Sequence, residues 1–162
     1  MAALIDAALC DERLHALDEN KIALGFNAIF NSSYSNYSHC YSLMYDEKRC
    51  VAAIESLWQL YGNFFARYCT TTYSSLQRKT QSYPSPMTEL CYNFWDRFSL
   101  YPTNNLRSPI LHAGIDLLEN LLLLQNDHVI LSVIETLCVW AFACKKRESD
   151  RIKNTVLNWK AD

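Results

Sequence analysis

Glycine occurs three times in this chain of 162 residues, at Gly25, Gly62 and Gly114, and proline four times. Strand-rich folds consume both residues in their tight turns, so their scarcity excludes most hairpin-based architectures and favours helices joined by few connections. The glycines stand far apart, which also excludes a phosphate-cradling glycine loop. Charge of one sign is missing too: 15 basic residues face 17 acidic ones, for a net charge of −2. A whole-surface nucleic-acid binder is usually clearly basic, so that class loses ground to others.

Paired cysteines are absent. Cys10, Cys40, Cys50, Cys69, Cys91, Cys138 and Cys144 are odd in number, and no Cys-x-x-Cys occurs. Most fall inside apolar helical patterns, where a free thiol behaves as a small hydrophobe. The expectation is reduced thiols in an intracellular protein, cytoplasmic or nuclear. The start, MAALIDAALCDERLH, has neither a basic leader nor a long apolar core, so it does not read as an export signal. Metal-ligand spacing is missing as well: His39-Cys40 is the only His–Cys neighbour pair, whereas zinc sites gather four ligands in close pairs. No nucleophile elbow or recognisable catalytic Cys or Ser context occurs. The reading is therefore a protein without metal or cofactor, and not an enzyme.

What is present is helical periodicity. Apolar residues make up 50% of the chain and aromatics 13%, ample for one core in a single domain over residues 1–162. In the first 30 residues Asp11 is a candidate cap for a helix carrying Leu14, Leu17 and Ile22. From Asp46 to Cys69, Val51, Ile54, Leu57, Trp58, Tyr61, Phe64, Phe65 and Tyr68 recur at spacings of three and four, one face of a helix. Thr70 to Pro86 is polar and aperiodic, the longest expected internal loop. Met87–Leu100 reads as a shorter helix bearing Leu90, Phe94, Trp95 and Phe98.

The stretch LLENLLLLQNDHVILSVIETLCVWAFACKKR, from Leu117 to Arg147, is the most apolar. A membrane span needs about 20 nearly uninterrupted apolar residues. Here Glu119, Gln125, Asn126, Asp127, His128 and Glu135 break the run, and Gln125-Asn126-Asp127 is a turn signal. The spacing predicts a helical hairpin, Pro109–Gln125 and His128–Lys146, with Ser108 as cap of the first helix and Asp127 as cap of the second. Leu118, Leu121, Ile130, Ile134, Leu137 and Trp140 are its expected buried contacts. A last helix is expected from Ser149 to Lys160.

The expected fold is all-α with about six or seven helices, either an irregular bundle or a short solenoid. The segment SPILHAGIDLLENLLLLQNDHVILSVIETLCVWAFACKK resembles the paired helices of armadillo and HEAT-type repeats, a likeness covering residues 107–159. Such families are mostly non-enzymatic scaffolds that bind peptides or proteins on a groove. The resemblance thus implies a protein-interaction or scaffold domain within a larger intracellular assembly, with a protein partner or a homo-oligomer and no membrane. The alternative is a nucleic-acid-binding helical domain using the basic run Lys145–Lys153.

Candidate contact residues follow from two signals. Aromatics beyond the needs of a core mark partner sites, which nominates Trp58, Tyr61 and Trp95, together with Tyr34, Tyr37 and Tyr41 of the tyrosine-rich run. The cations Lys145, Lys146, Arg147 and Arg151 form the clearest electrostatic feature. Lys145–Arg147 also complement the dipole at a helix C-terminus. His112 lies one turn before Asp116, a spacing that suits an ion pair.

Overall fold

A computed structural model describes residues 16–31, 33, 46–70, 83–98, 100–102 and 106–159, and among these every regular element is a helix. Helix α1 spans Glu19–Phe30, α2 Glu47–Glu55 and α3 Leu57–Gln59. A π-helical stretch, Leu60–Phe65, runs directly into α4, Ala66–Tyr68. Helix α5 is Pro86–Arg97, α6 Ser108–Leu121, α7 Asp127–Ala143 and α8 Lys146–Asn158.

The helix starts obey capping chemistry, though at other residues than expected. Asp18, rather than Asp11, caps α1 by accepting from the Lys21 backbone N–H, and Leu17 lies exposed before the helix. Asp11 itself falls outside the described residues. Asp46 accepts from Lys48 N at the head of α2, and Ser85 from Thr88 N at the head of α5, with Pro86 in the first turn where its missing N–H costs nothing. Pro86 thus opens a helix instead of closing the polar loop, whose residues 71–82 lie outside the described ones. Ser108 sits inside α6, whose cap position is Arg107, a residue that makes no side-chain capping bond there.

Asn126, not Asp127, caps α7. Its Oδ1 accepts from Val129 N at 3.0 Å, while its Nδ2 donates to the carbonyls of Ala66 and Cys69 at 3.0 and 3.2 Å. One amide thereby starts a helix and clamps the α6–α7 turn to the end of α4, satisfying carbonyls that a helix end leaves open.

The amphipathic run from Asp46 to Cys69 is not one regular helix. Ser56, whose hydroxyl donates to Ala53 O at 2.7 Å, breaks it into α2 and α3. The π stretch then follows. Its wider i→i+5 turns keep Leu60, Tyr61, Phe64 and Phe65 all buried on one side.

The helices share one continuous core. Helix α1 packs on α5, α2 on α6, and α7 contacts α5, α6 and α8. Hydrogen bonds between elements pin these pairs. Glu19 Oε1 accepts from Met87 N at 3.2 Å, and Arg97, which also pairs with Glu89 of its own helix at 2.7 Å, reaches Asn27 of α1 at 3.0 Å. Ser132 donates to Cys91 O at 2.8 Å and Ser149 to Ala141 O at 2.6 Å, so these two buried hydroxyls are satisfied by neighbouring helices, while buried Thr136 donates to Ser132 O of its own helix at 2.9 Å. Gly114 marks the tightest approach of α6: a Cβ there would meet the Trp140 ring at 3.0 Å and Leu100 at 3.3 Å.

Of the contacts expected to be buried in the C-terminal pair, Leu118, Leu121, Leu137 and Trp140 are buried. Ile130 and Ile134 are only half-buried, at the edge of the core. Among the described residues no helix is long and apolar enough to cross a membrane.

Candidate interaction surface

Helix α7 is apolar on both faces. Its inner face buries Val129, Val133, Leu137, Trp140 and Ala141. Its exposed positions are Asp127, Leu131, Cys138, Val139 and Phe142, of which only the first is charged. Phe142 is 88% exposed and Val139 47%. A surface helix ordinarily shows water a polar face, and one that is apolar all round is ordinarily covered on all sides. Helix α8 shows the usual arrangement for contrast: Ile152 is buried while Lys153, Asn154 and Asn158 face outward, with Leu157 a lone apolar exception.

Beside the α7 stripe runs a groove of about 460 Å³ between α5 and α7, lined by Tyr92, Tyr101, Leu131, Ile134 and Val139. A second groove, about 670 Å³, lies between α2–α3 and α6. Val51, Trp58, Pro109 and Leu117 form its floor, and Glu55 and Asp116 stand at its rim. Trp58, 36% exposed, is thus a surface residue at a concave site.

The other nominated aromatics are placed differently. Tyr61 is 0% exposed and Trp95 3%, which removes both from any surface of the folded chain. The Tyr61 ring packs edge-on to Phe65 and Phe94 at 4.8 and 5.7 Å, and Trp95 edge-on to Trp140 at 5.7 Å. They belong to the core because each shares the apolar face of its helix, Tyr61 with Ile54, Leu57 and Phe65, and Trp95 with Cys91 and Phe98. Tyr34, Tyr37 and Tyr41 lie outside the described residues.

The basic cluster divides. Lys145, Lys146 and Arg147 are exposed, and they occupy the cap and first two positions of α8. They follow the end of α7 by only a few residues, which suits its dipole, but positive charge at the start of α8 opposes that helix's own. Arg151 is engaged inside the molecule. It pairs with Asp116 and Glu119 of α6, its Nε donating to Glu119 Oε1 at 3.1 Å, and Thr155 donates to the same oxygen at 2.7 Å. These contacts tie α8 to α6. The two carboxylates beside it hold the guanidinium more firmly protonated than usual.

His112 sits 3.5 Å from Glu148 of α8, a partner on another helix in place of Asp116 on its own. The Glu148 carboxyl is held below its ordinary range, first by its own backbone N–H and then by the His112 hydrogen bond. None of the described cysteines forms a disulfide. Burial pushes Cys50, Cys91 and Cys144 toward the protonated form, with the adjacent Cys69 thiol adding to the effect at Cys91. A thiol so held is a poor nucleophile. No group of three or more metal-ligating side chains comes together among the described residues.

Sequence reasoning missed the α7 face, although its signal is legible. Leu131, Glu135, Cys138 and Phe142 recur at steps of four, three and four, on the side of the helix opposite to Val129, Val133, Leu137 and Trp140. Comparison with protein-family models, with curated proteins and with solved structures gave no match.

Proposed function

We propose that this chain is a non-enzymatic protein-interaction module, a structural part of a larger intracellular assembly. One observation carries the reading: the outer face of α7 presents Leu131, Cys138, Val139 and Phe142 to solvent with almost no polar relief. Contiguous exposed apolar surface on a soluble helix marks a place where another macromolecule sits. The absence of a disulfide among the described cysteines supports a reducing compartment. The armadillo- or HEAT-like reading of residues 107–159 belongs to this proposal. It is supported by the succession α6, α7, α8 with short connections and by the packing of α7 against both neighbours.

Capture from cell extract with and without nuclease tests the reading. Wild-type protein should retain specific proteins after nuclease, and the double substitution Val139→Lys with Phe142→Asp should release them. An unchanged set overturns the reading. The second reading, nucleic-acid binding, is favoured by the exposure of Lys145, Lys146, Arg147 and Lys153. It takes over if retention disappears with nuclease and direct binding falls steeply with salt.

A further inference from the structure

We propose that the outer face of α7 is self-complementary, and that two copies of this chain pair through it about a two-fold axis, α7 against α7 in opposite directions. The inference rests on the interaction-module reading and names the partner: a second copy.

Spacing is the first argument. Leu131, Glu135, Cys138 and Phe142 follow one another at four, three and four residues, the steps of a coiled-coil seam. That series reads the same from either end. An antiparallel two-fold pair needs this property, because each residue must meet its mirror position on the other copy. With the axis between Thr136 and Leu137, Leu131 lies opposite Phe142 of the second copy, and Glu135 opposite Cys138.

Charge order is the second argument, and it is independent of the apolar pattern. The acids Asp127 and Glu135 lie on α7 itself, and the cations Lys145, Lys146 and Arg147 stand just past its C-terminal end, at the head of α8. The same axis brings Asp127 of one copy toward the basic cluster of the other, twice, at the two ends of a contact about 24 Å long at the helical rise per residue over Asp127–Ala143. Parallel pairing would set acid on acid and base on base. The cations at the head of α8, placed against that helix's own dipole, thereby acquire an electrostatic partner.

Shape is the third. Phe142, 88% exposed, is the most prominent apolar side chain of the face. The groove of about 460 Å³ lined by Tyr92, Tyr101, Leu131 and Ile134 lies beside the position opposite it. Each copy carries both the projecting ring and a recess for one. A nucleic acid would use the cations but leave Phe142 and Val139 in water.

Sedimentation equilibrium of the full chain from micromolar to hundreds of micromolar tests the pairing. A monomer–dimer equilibrium is expected, with a Kd on the order of 10 μM for a contact of modest size. Phe142→Asp should leave a monomer at every concentration, with an unchanged circular dichroism spectrum. Lys146→Glu should weaken pairing about threefold to tenfold, and adding Asp127→Lys to it should restore the wild-type value. Crosslinking wild-type protein with a short bis-maleimide, against Cys138→Ser as control, gives a readout that does not depend on how the charged variants fold. A covalent dimer that requires Cys138 supports the axis. A chain that stays monomeric at the highest concentration overturns the pairing, as does a dimer that Phe142→Asp leaves intact. The capture experiment is scored on other proteins and not on self-association, so the two readings fail separately.

Discussion

Between α1 and α5 the core is built of rings, while from α6 to α8 it is built chiefly of branched aliphatic chains. Phe26, Phe30, Phe64, Phe94 and Phe98 meet at centroid distances such as 4.6 Å for Phe26–Phe64 and 5.0 Å for Phe94–Phe98. Ile110, Ile115, Leu118, Leu121, Val129, Val133 and Leu137 fill the other half. Rings are rigid and directional, so each must find an offset or edge-on neighbour. Aliphatic chains interdigitate along a regular helix with fewer demands on geometry. The backbone reflects this. The aromatic half contains a π stretch, within which Leu60, Tyr61, Phe64 and Phe65 are all buried, whereas α6 and α7 are uninterrupted α-helices. The Trp95–Trp140 contact couples the two halves.

Removing that coupling is the severest way to test whether the halves form one unit. Trp140→Ala should cost about 3–5 kcal/mol, the range for emptying a buried indole site. Its ring also fills the space beside Gly114, so the void opens on α6 as well. If the halves fold together, the variant melts in one transition at a lower temperature. Two resolved transitions, one reporting each half, would show that the aromatic half stands without the aliphatic one.

A second substitution probes the other junction. Asn126→Ala removes the α7 cap and both bonds to the end of α4. A lost cap costs about 1 kcal/mol. The carbonyls of Ala66 and Cys69 also lose their donor, so the total expected in chemical denaturation is roughly 2–3 kcal/mol. Asp127→Ala should cost much less. Equal effects at the two positions would mean that neither the Asn126 cap nor its tie to α4 contributes more than the first-turn charge of Asp127.

The same contrast governs how much of the molecule was readable in advance. All-helical character followed from spacing and glycine scarcity, and the elements from Ser108 to Asn158 came within a few residues of their expected bounds. Aliphatic period three-to-four reports directly which side faces in. In the aromatic half the period was visible but misjudged. Tyr61 and Trp95 are amphipathic types, and composition does not say whether a ring lies inside or outside. For Tyr61 the helical period shared with Ile54, Leu57, Phe64 and Phe65 already pointed inward, while no local residue signal marks the π stretch. Asn126 and Asp127 are both good caps, and the choice between them depended on carbonyls some sixty residues earlier in the chain. Of the candidate contacts, Trp58 and Lys145–Arg147 are exposed, while Arg151 is engaged in binding α8 to α6. The outer stripe of α7 went unread because attention to its inner face accounted for the helix.

The smallest effect expected is on pH, and it should appear in the aliphatic half, where α8 is fastened largely by charge. Glu148 is held below its ordinary range by its own backbone N–H and by His112. A carboxyl whose folded pKa is depressed stabilises the fold above its unfolded value and loses that contribution as pH falls through the folded one. Acidification through about 4.3 and below should therefore loosen the α8 attachment before it affects the ring-packed half, whose depressed carboxyl, Asp18, stands exposed at the head of α1 and ties only its own helix. Because Glu148 stands at the surface, screening keeps the change in melting temperature on the order of 1–2 °C. Glu148→Gln should flatten that part of the acid dependence and leave the melting temperature at neutral pH slightly lower. Hydrogen exchange of the α8 amides between neutral and mildly acid pH localises the effect. Accelerated exchange first in α1 and α5 would mean that acid sensitivity resides in Asp18 at the head of α1, the other carboxyl held low, through its bond from the Lys21 N–H.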